Sequence, residues 1–186
     1  MINKQQLLDY TKGLFRAYPI FILVFCFCFY LLFNLPFCLY ITIYLLIVII
    51  IGDYLKKISK QIYTHYKTNS IPWIGIGPRP KNAKYCGEFI SELNLSGKCS
   101  SYGMPSCHAL FSTCFAVLLT YYIQNFHTQP RDQELYSTML IWYITSMVCT
   151  SRVLLNNHTF CQITVGSFLG LLFGLIGIYS KKNLNV

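Results

Sequence analysis

Apolar positions in this chain come in long blocks separated by short polar ones. The first two blocks, IFILVFCFCFYLLF and ITIYLLIVIIIG, lie within residues 18–52. A membrane-crossing helix takes about 20 apolar residues, so this stretch is too long for one helix and just long enough for two. Asn34-Leu35-Pro36 interrupts it, and a proline disfavours helix at the residue before it. The pattern predicts a tight hairpin with helices near 18–34 and 36–53, the second continuing toward residue 68 outside the membrane. Three more apolar segments follow, at roughly 106–125, 135–152 and 160–179. The last of them carries glycines that permit close helix contact, and its end is marked by Lys181 and Lys182.

Composition fixes what these blocks mean. Hydrophobic residues make up 54% of the 186 and charged residues 11%, against about a quarter charged in soluble domains. Too little polar sequence is present to shield such a core from water. The expected fold is all-α: a polytopic integral membrane helical bundle with about five to six transmembrane helices. One domain spans 1–186, divided into a polar N-terminal segment (1–17), a helical hairpin (18–53), a polar loop (54–104) and core helices (105–180). The opening MINKQQLLDYTKGLFRAY is polar and basic and does not read as a cleavable signal, so the first membrane helix serves as its own anchor. IPWIGIG, at 71–77, is too short to cross and is expected at the interface, where its tryptophan favours it.

The net charge of +9 comes from 15 Lys and Arg against 6 Asp and Glu. These cations stand in loops between apolar segments, which favours anionic headgroups or phosphate over nucleic acid as partner. Most of the nine cysteines fall in or beside apolar runs and act as small fillers. Cys86 and Cys99 share one polar loop and would bridge if that loop faced an oxidising lumen. No CxxC pair and no His/Cys cluster at zinc spacing occurs, so no metal site is expected. The scarcity of acids argues against a two-metal or paired-carboxylate hydrolase, and with no Gly-rich phosphate loop, ATP chemistry and cofactors are not expected.

The chemistry lies in three stretches: Gly-Pro-Arg-Pro at 77–80, Gly-Met-Pro-Ser-Cys-His-Ala at 103–109, and SRVLLNNHTFCQ at 151–162. The helix order brings all three to one face of the membrane. Arg79 and Arg152 are permanent cations suited to gripping phosphate oxygens. Ser106 and His108 stand in the first turn of a helix, where free N–H groups favour an anion. His158 precedes the last apolar segment, and Gln162, four residues on, shares its helical face. Arg152 interrupts the end of an apolar run, where a charge needs an interface or a partner. His65 and His127 have no such company and are taken as loop residues.

These stretches resemble the three signature motifs of the type 2 phosphatidic acid phosphatase superfamily, membrane phosphatases related to vanadium haloperoxidases. The family pattern is Lys, six residues, Arg-Pro; then Pro-Ser-Gly-His; then Ser-Arg, five residues, His, three residues, Asp. Here the second motif reads Pro105-Ser106-Cys107-His108, and the third reads Ser151-Arg152, five residues, His158, three residues, Gln162. Cys107 replaces the glycine and Gln162 the aspartate. Pro72 stands where the first lysine is expected, with Lys57, Lys60 and Lys67 as substitutes, of which Lys57 is taken as the candidate. The forms GMPSxHA and HTxxQ look most like the dolichyl-diphosphatase branch.

The resemblance implies a metal-free, two-step displacement on a lipid phosphate. His158 would be the nucleophile and form a phosphohistidine. His108 would be the general acid and then base, and Gln162 would orient His158. Arg79, Arg152, Ser106 and Lys57 would bind the phosphoryl group. The implied substrate is a polyisoprenyl diphosphate, dolichyl diphosphate for preference. A broader phosphatidate-type lipid phosphatase and a catalytically inactive membrane binding or scaffold protein of the same fold remain alternatives. The implied location is the endoplasmic reticulum membrane with the site on the lumenal side, which the Cys86/Cys99 pair and the sequon Asn94-Leu95-Ser96 favour, while the count of basic loops points to the cytosol.

Overall fold

The structure is a computed structural model that describes residues 4–66, 76–80, 83, 102–126 and 130–184. Those residues form five helices and no strand: α1 (Lys4–Phe33), α2 (Pro36–Tyr66), α3 (Cys107–Phe126), α4 (Arg131–Leu154) and α5 (Phe160–Leu184). An isolated bridge pairs Pro78 with Tyr102. Four helices, α1, α2, α3 and α5, are long and apolar enough to cross a membrane. The protein is an all-α integral membrane bundle. Cys86, Cys99, Asn94, Trp73, Lys67 and His127 lie outside the described residues.

The hairpin forms where the sequence breaks. Asn34 takes a left-handed φ of 50° and donates its N–H to the Tyr30 carbonyl at 2.8 Å, which ends α1. Pro36 then opens α2, a position where its missing N–H costs nothing. α1 begins at Lys4, well before the apolar run. Lys, Gln and Leu are good helix formers, so helix propagates backwards through the polar segment. α2, with 31 residues, is about 46 Å long at 1.5 Å per residue. It therefore outruns the hydrocarbon layer, about 30 Å thick, and carries its last turns out into the headgroup zone.

α3 is the central helix. Leu110, Phe111, Cys114, Phe115 and Leu118 pack against Phe37, Ile41, Leu45 and Val48 of α2, with Cys26 added from α1. Its other side meets α5, and glycine sets the spacing. A Cβ on Gly166 would lie 2.6 Å from the Ser106 carbonyl oxygen, and one on Gly170 would lie 2.5 Å from that of Leu110. On Gly174 it would meet the Val117 side chain at 2.6 Å. Backbone thus touches backbone along this seam, as small residues permit between helices in lipid. α2 is tied to α5 by two tyrosines: Tyr40 donates to the Gly177 carbonyl at 2.5 Å and Tyr44 to that of Phe173 at 2.6 Å.

α4 is long enough to cross but less apolar than the others, and the reason lies in its inner face. Its buried residues include Thr145, Ser151 and Arg152, and its first turn holds Asp132 and Glu134. Outward it presents Leu135, Tyr136, Met139, Leu140, Tyr143 and Met147. Thr145, Ser151 and Arg152 are thus turned toward the other helices, where polar side chains belong in a membrane bundle, while Arg131, Asp132 and Gln133 are exposed at its start.

The seam makes a stability prediction. Gly170→Ala overpacks α3 against α5 and should destabilise the folded protein by about 1–3 kcal/mol. Gly13→Ala is the control, since a Cβ there meets nothing within 4 Å, and it should be neutral or stabilising. Thermal unfolding of the two variants in detergent checks this, with a lowered Tm expected for Gly170→Ala alone.

Candidate active site

The turn between α4 and α5 builds the heart of the site from two local motifs. α4 ends with Asn156 at φ 55°. Asn156 N–H bonds the Val153 carbonyl at 2.8 Å, and Asn157 N–H bonds that of Arg152 at 3.0 Å. This pair of bonds is a Schellman motif, with asparagine in the left-handed position usually held by glycine. His158 N–H also donates to the Arg152 carbonyl, at 3.1 Å. α5 then opens with a capping box: Thr159 Oγ1 accepts from the Gln162 N–H at 3.3 Å, and Gln162 Oε1 accepts from the Thr159 N–H at 3.2 Å. His158 is pinned between the two motifs and is only 3% exposed.

Against His158 lies Arg79. Its Nη1 donates to the Asn157 carbonyl at 2.9 Å and to His158 Nε2 at 2.7 Å. A guanidinium has no acceptor, so Nε2 of His158 must be the bare nitrogen. The ring proton is then on Nδ1, which is buried and has no hydrogen-bond partner among the described residues. Burial first, and then the charge of Arg79, hold the His158 pKa well below the usual histidine value. The ring is neutral at pH 7, with its lone pair available. Burial likewise lowers the Arg79 guanidinium to about 10, helped by the nearby Arg152 cation, so Arg79 remains charged.

Gln162 holds the segment that delivers Arg79. Its Nε2 donates to the Gly77 and Pro78 carbonyls at 3.5 and 3.4 Å. Gly103, whose N–H bonds the Gly77 carbonyl at 3.3 Å, packs so closely on the Gln162 side chain that a Cβ there would overlap it. Ser106 is fully buried. Its N–H donates to the Gln162 main-chain carbonyl at 3.2 Å, while its Oγ has no hydrogen-bond partner among the described residues. His108 sits in the first turn of α3, and its Nε2 is 3.0 Å from the Arg16 carbonyl oxygen of α1. Arg152 is 2% exposed and acts through space on both histidines.

Arg79, Ser106, His108, Arg152, His158 and Gln162 are thus gathered in one cluster, as their motifs imply. Lys57 is not with them: it is exposed on α2. Lys56 takes that place, with its side chain 11% exposed and its Nζ 3.8 Å from Asp53 Oδ1. It hydrogen-bonds Cys107 and its charge reaches both His108 and His158. A signal for Lys56 was present in the sequence. The buried stripe of α2 runs Ile41, Leu45, Val48, Gly52 and Ser59, and Lys56 continues it four residues past Gly52. Lys57 lies about 100° round the helix from that stripe. The Arg16 carbonyl had no signal at all, since any residue supplies one.

The cluster is buried and cationic, with the two imidazoles among its cations, and Ser106 Oγ and His158 Nδ1 have no hydrogen-bond partner among the described residues. Such an arrangement can hold an oxyanion. Residues 41–185 match the PAP2 superfamily. The chain is also similar to Dolichyldiphosphatase 1 of Dictyostelium discoideum, 37% identical over 78 residues. That alignment spans 41% of this chain and 34% of the relative, about a third of its length. No solved structure matches the chain.

The placement of the lysines predicts their effect on anion binding. Inorganic phosphate should raise the Tm of the purified protein, and Lys56→Gln should weaken its apparent affinity about tenfold, the weight of one charge-assisted contact. Lys57→Gln should leave it within about twofold. Thermal shift across a phosphate titration measures both, and equal effects from the two lysines would contradict the assignment.

Proposed function

The chain belongs to the PAP2 superfamily, and we propose that it is a metal-independent lipid phosphatase that cleaves a polyisoprenyl diphosphate, dolichyl diphosphate for preference, to the monophosphate and inorganic phosphate. The observation that carries this reading is the His158–Arg79 contact. A neutral, desolvated imidazole keeps its lone pair beside cations that bind an anion, which is what a nucleophile toward phosphorus needs. The substrate class draws on the name of the Dictyostelium relative and on the motif forms.

Substrate phosphate would draw Arg79 from His158 Nε2 onto its own oxygens, joined by Arg152, Lys56 and the Ser106 hydroxyl. Nε2 then attacks the terminal phosphorus. The bond to the bridging oxygen breaks, and the lipid monophosphate leaves as His108 supplies a proton. His108 next takes a proton from water, whose oxygen attacks phosphorus and releases His158 and inorganic phosphate. Gln162 serves this sequence by fixing the Gly77–Arg79 segment, through the bonds it makes to Gly77 and Pro78. That role differs from the direct orientation of His158 which a carboxylate at this position performs. An amide suits it, because it must donate to two carbonyls, which an ionised carboxylate cannot do.

Release of phosphate from a polyisoprenyl diphosphate by purified protein in EDTA is the test. His158→Ala should lower the rate by about a thousandfold or more, and phosphatidate should be the poorer substrate. Phosphatidate turned over faster would favour the broader lipid phosphatase. No release from either lipid by folded protein would favour a binding protein.

The endoplasmic reticulum membrane, with the cluster facing the lumen, is the location that fits this substrate. An endoglycosidase-sensitive glycan lost in Asn94→Gln is the expected sign. A protein that carries no glycan there and whose single accessible cysteine at position 86 or 99 is labelled from the cytosol would refute the lumenal side.

A further inference from the structure

His108 is held from a direction that its motif does not include. The Arg16 carbonyl, 3.0 Å from His108 Nε2, belongs to α1, and α1 precedes the residues that match the family. A carbonyl oxygen can only accept, so the contact requires a proton on Nε2 of His108. His158 presents the reverse case, because Arg79 donates to its Nε2. Two imidazoles that act on one another through space are thus fixed in opposite tautomers.

We infer that the Arg16 carbonyl is a positioning group of the reaction: it commits Nε2–H of His108 and leaves Nδ1 as the atom that exchanges the proton. The inference rests on the phosphatase reading above. The bound diphosphate anion favours a second proton on His108, taken up with the substrate, and in the first step that Nδ1–H goes to the bridging oxygen. The P–O bond breaks while the bond from His158 Nε2 to phosphorus forms. In the second step Nδ1, now bare, takes a proton from the attacking water, and the P–N bond breaks. Nε2–H stays on the carbonyl throughout, so the ring has no need to turn between its two duties.

Pro19 stands in the turn of α1 that carries this carbonyl and is buried in the bundle. Its missing N–H takes the helical donor from the Phe15 carbonyl, and its ring crowds the turn that Phe15 and Arg16 share, which loosens the helix there. The charged groups facing His108 are Arg152 from α4, Lys56 from α2 and Arg79 from the segment before α3. The Arg16 carbonyl accepts from Nε2–H whether or not Nδ1 also carries a proton.

Nitrogen-15 NMR of histidine-labelled full-length protein in detergent reads the tautomers directly, with His108→Gln and His158→Gln giving the assignments. His108 is expected as Nε2–H and His158 as Nδ1–H. An Nδ1–H tautomer at His108 would overturn the inference. Pro19→Ala then tests the function of the contact. It restores the N–H that the Phe15 carbonyl lacks and tightens the turn that carries the Arg16 carbonyl, with a better helix former. Its kcat should fall about tenfold with KM within about twofold, the weight of one hydrogen bond at the transition state. A raised or unchanged Tm and a mixed tautomer at His108 should accompany the loss. Unchanged kcat with an unchanged tautomer would sink the positioning role. A chain inactive on every lipid phosphate, yet with the expected tautomers, would refute the phosphatase reading while the tautomer assignment stood.

Discussion

The close approach of α3 to α5 is the constraint on which the rest of the structure depends. Three glycines of α5 lie against backbone or side chains of α3 at distances that no Cβ tolerates. That contact brings the start of α3, with Ser106 and His108, onto the start of α5, with His158 and Gln162. The Ser106 N–H to Gln162 carbonyl bond seals the join. Two motifs separated by some fifty residues thereby share one polar cluster. A wider spacing would open the cluster to water, and the cations in it would lose much of their pull on an anion.

The local motifs matter for a different reason. His158 follows a Schellman ending and precedes a capping box, so its backbone is fixed by hydrogen bonds on both sides. The nucleophile candidate is therefore positioned by short-range chemistry, whereas Arg79 is positioned by long-range contacts: its own with the Asn157 carbonyl, and those of Gly77 and Pro78 just before it with Gln162. Gln162 takes part in both, through its capping bond and its grip on the Gly77–Arg79 segment.

Much of this was legible in the sequence, and the physical reasons are particular. The helices announced themselves because each apolar block has the length a bilayer demands, and Asn34 and Pro36 are residues that can hardly do anything but turn the chain. His108, His158, Arg79 and Arg152 stood out as polar groups at the ends of apolar runs. Lys56 was missed in favour of Lys57 because spacing to the arginine motif was weighed and the helical stripe of α2 was not. The start of α1 was misplaced because apolarity marks where a helix enters lipid, not where helix begins. The contact of the Arg16 carbonyl with His108 was beyond reach, since a main-chain carbonyl carries no residue identity and its place depends on tertiary packing.

One helix also acts as a ruler. α2 runs unbroken from Ile41 in the apolar core to Lys56 beside the histidines, fifteen residues that span about 22 Å. The height of the cationic cluster above the middle of the bilayer is thus set by residue count along a rigid rod, not by a loop. Under the proposed function, a lipid that reaches the cluster from within its own leaflet would carry its phosphate at that height, while tail length beyond it is free to vary in the bilayer. Adding or removing one residue between Gly52 and Lys56 would change the height only slightly, yet it would swing the lysine about 100° away from the site.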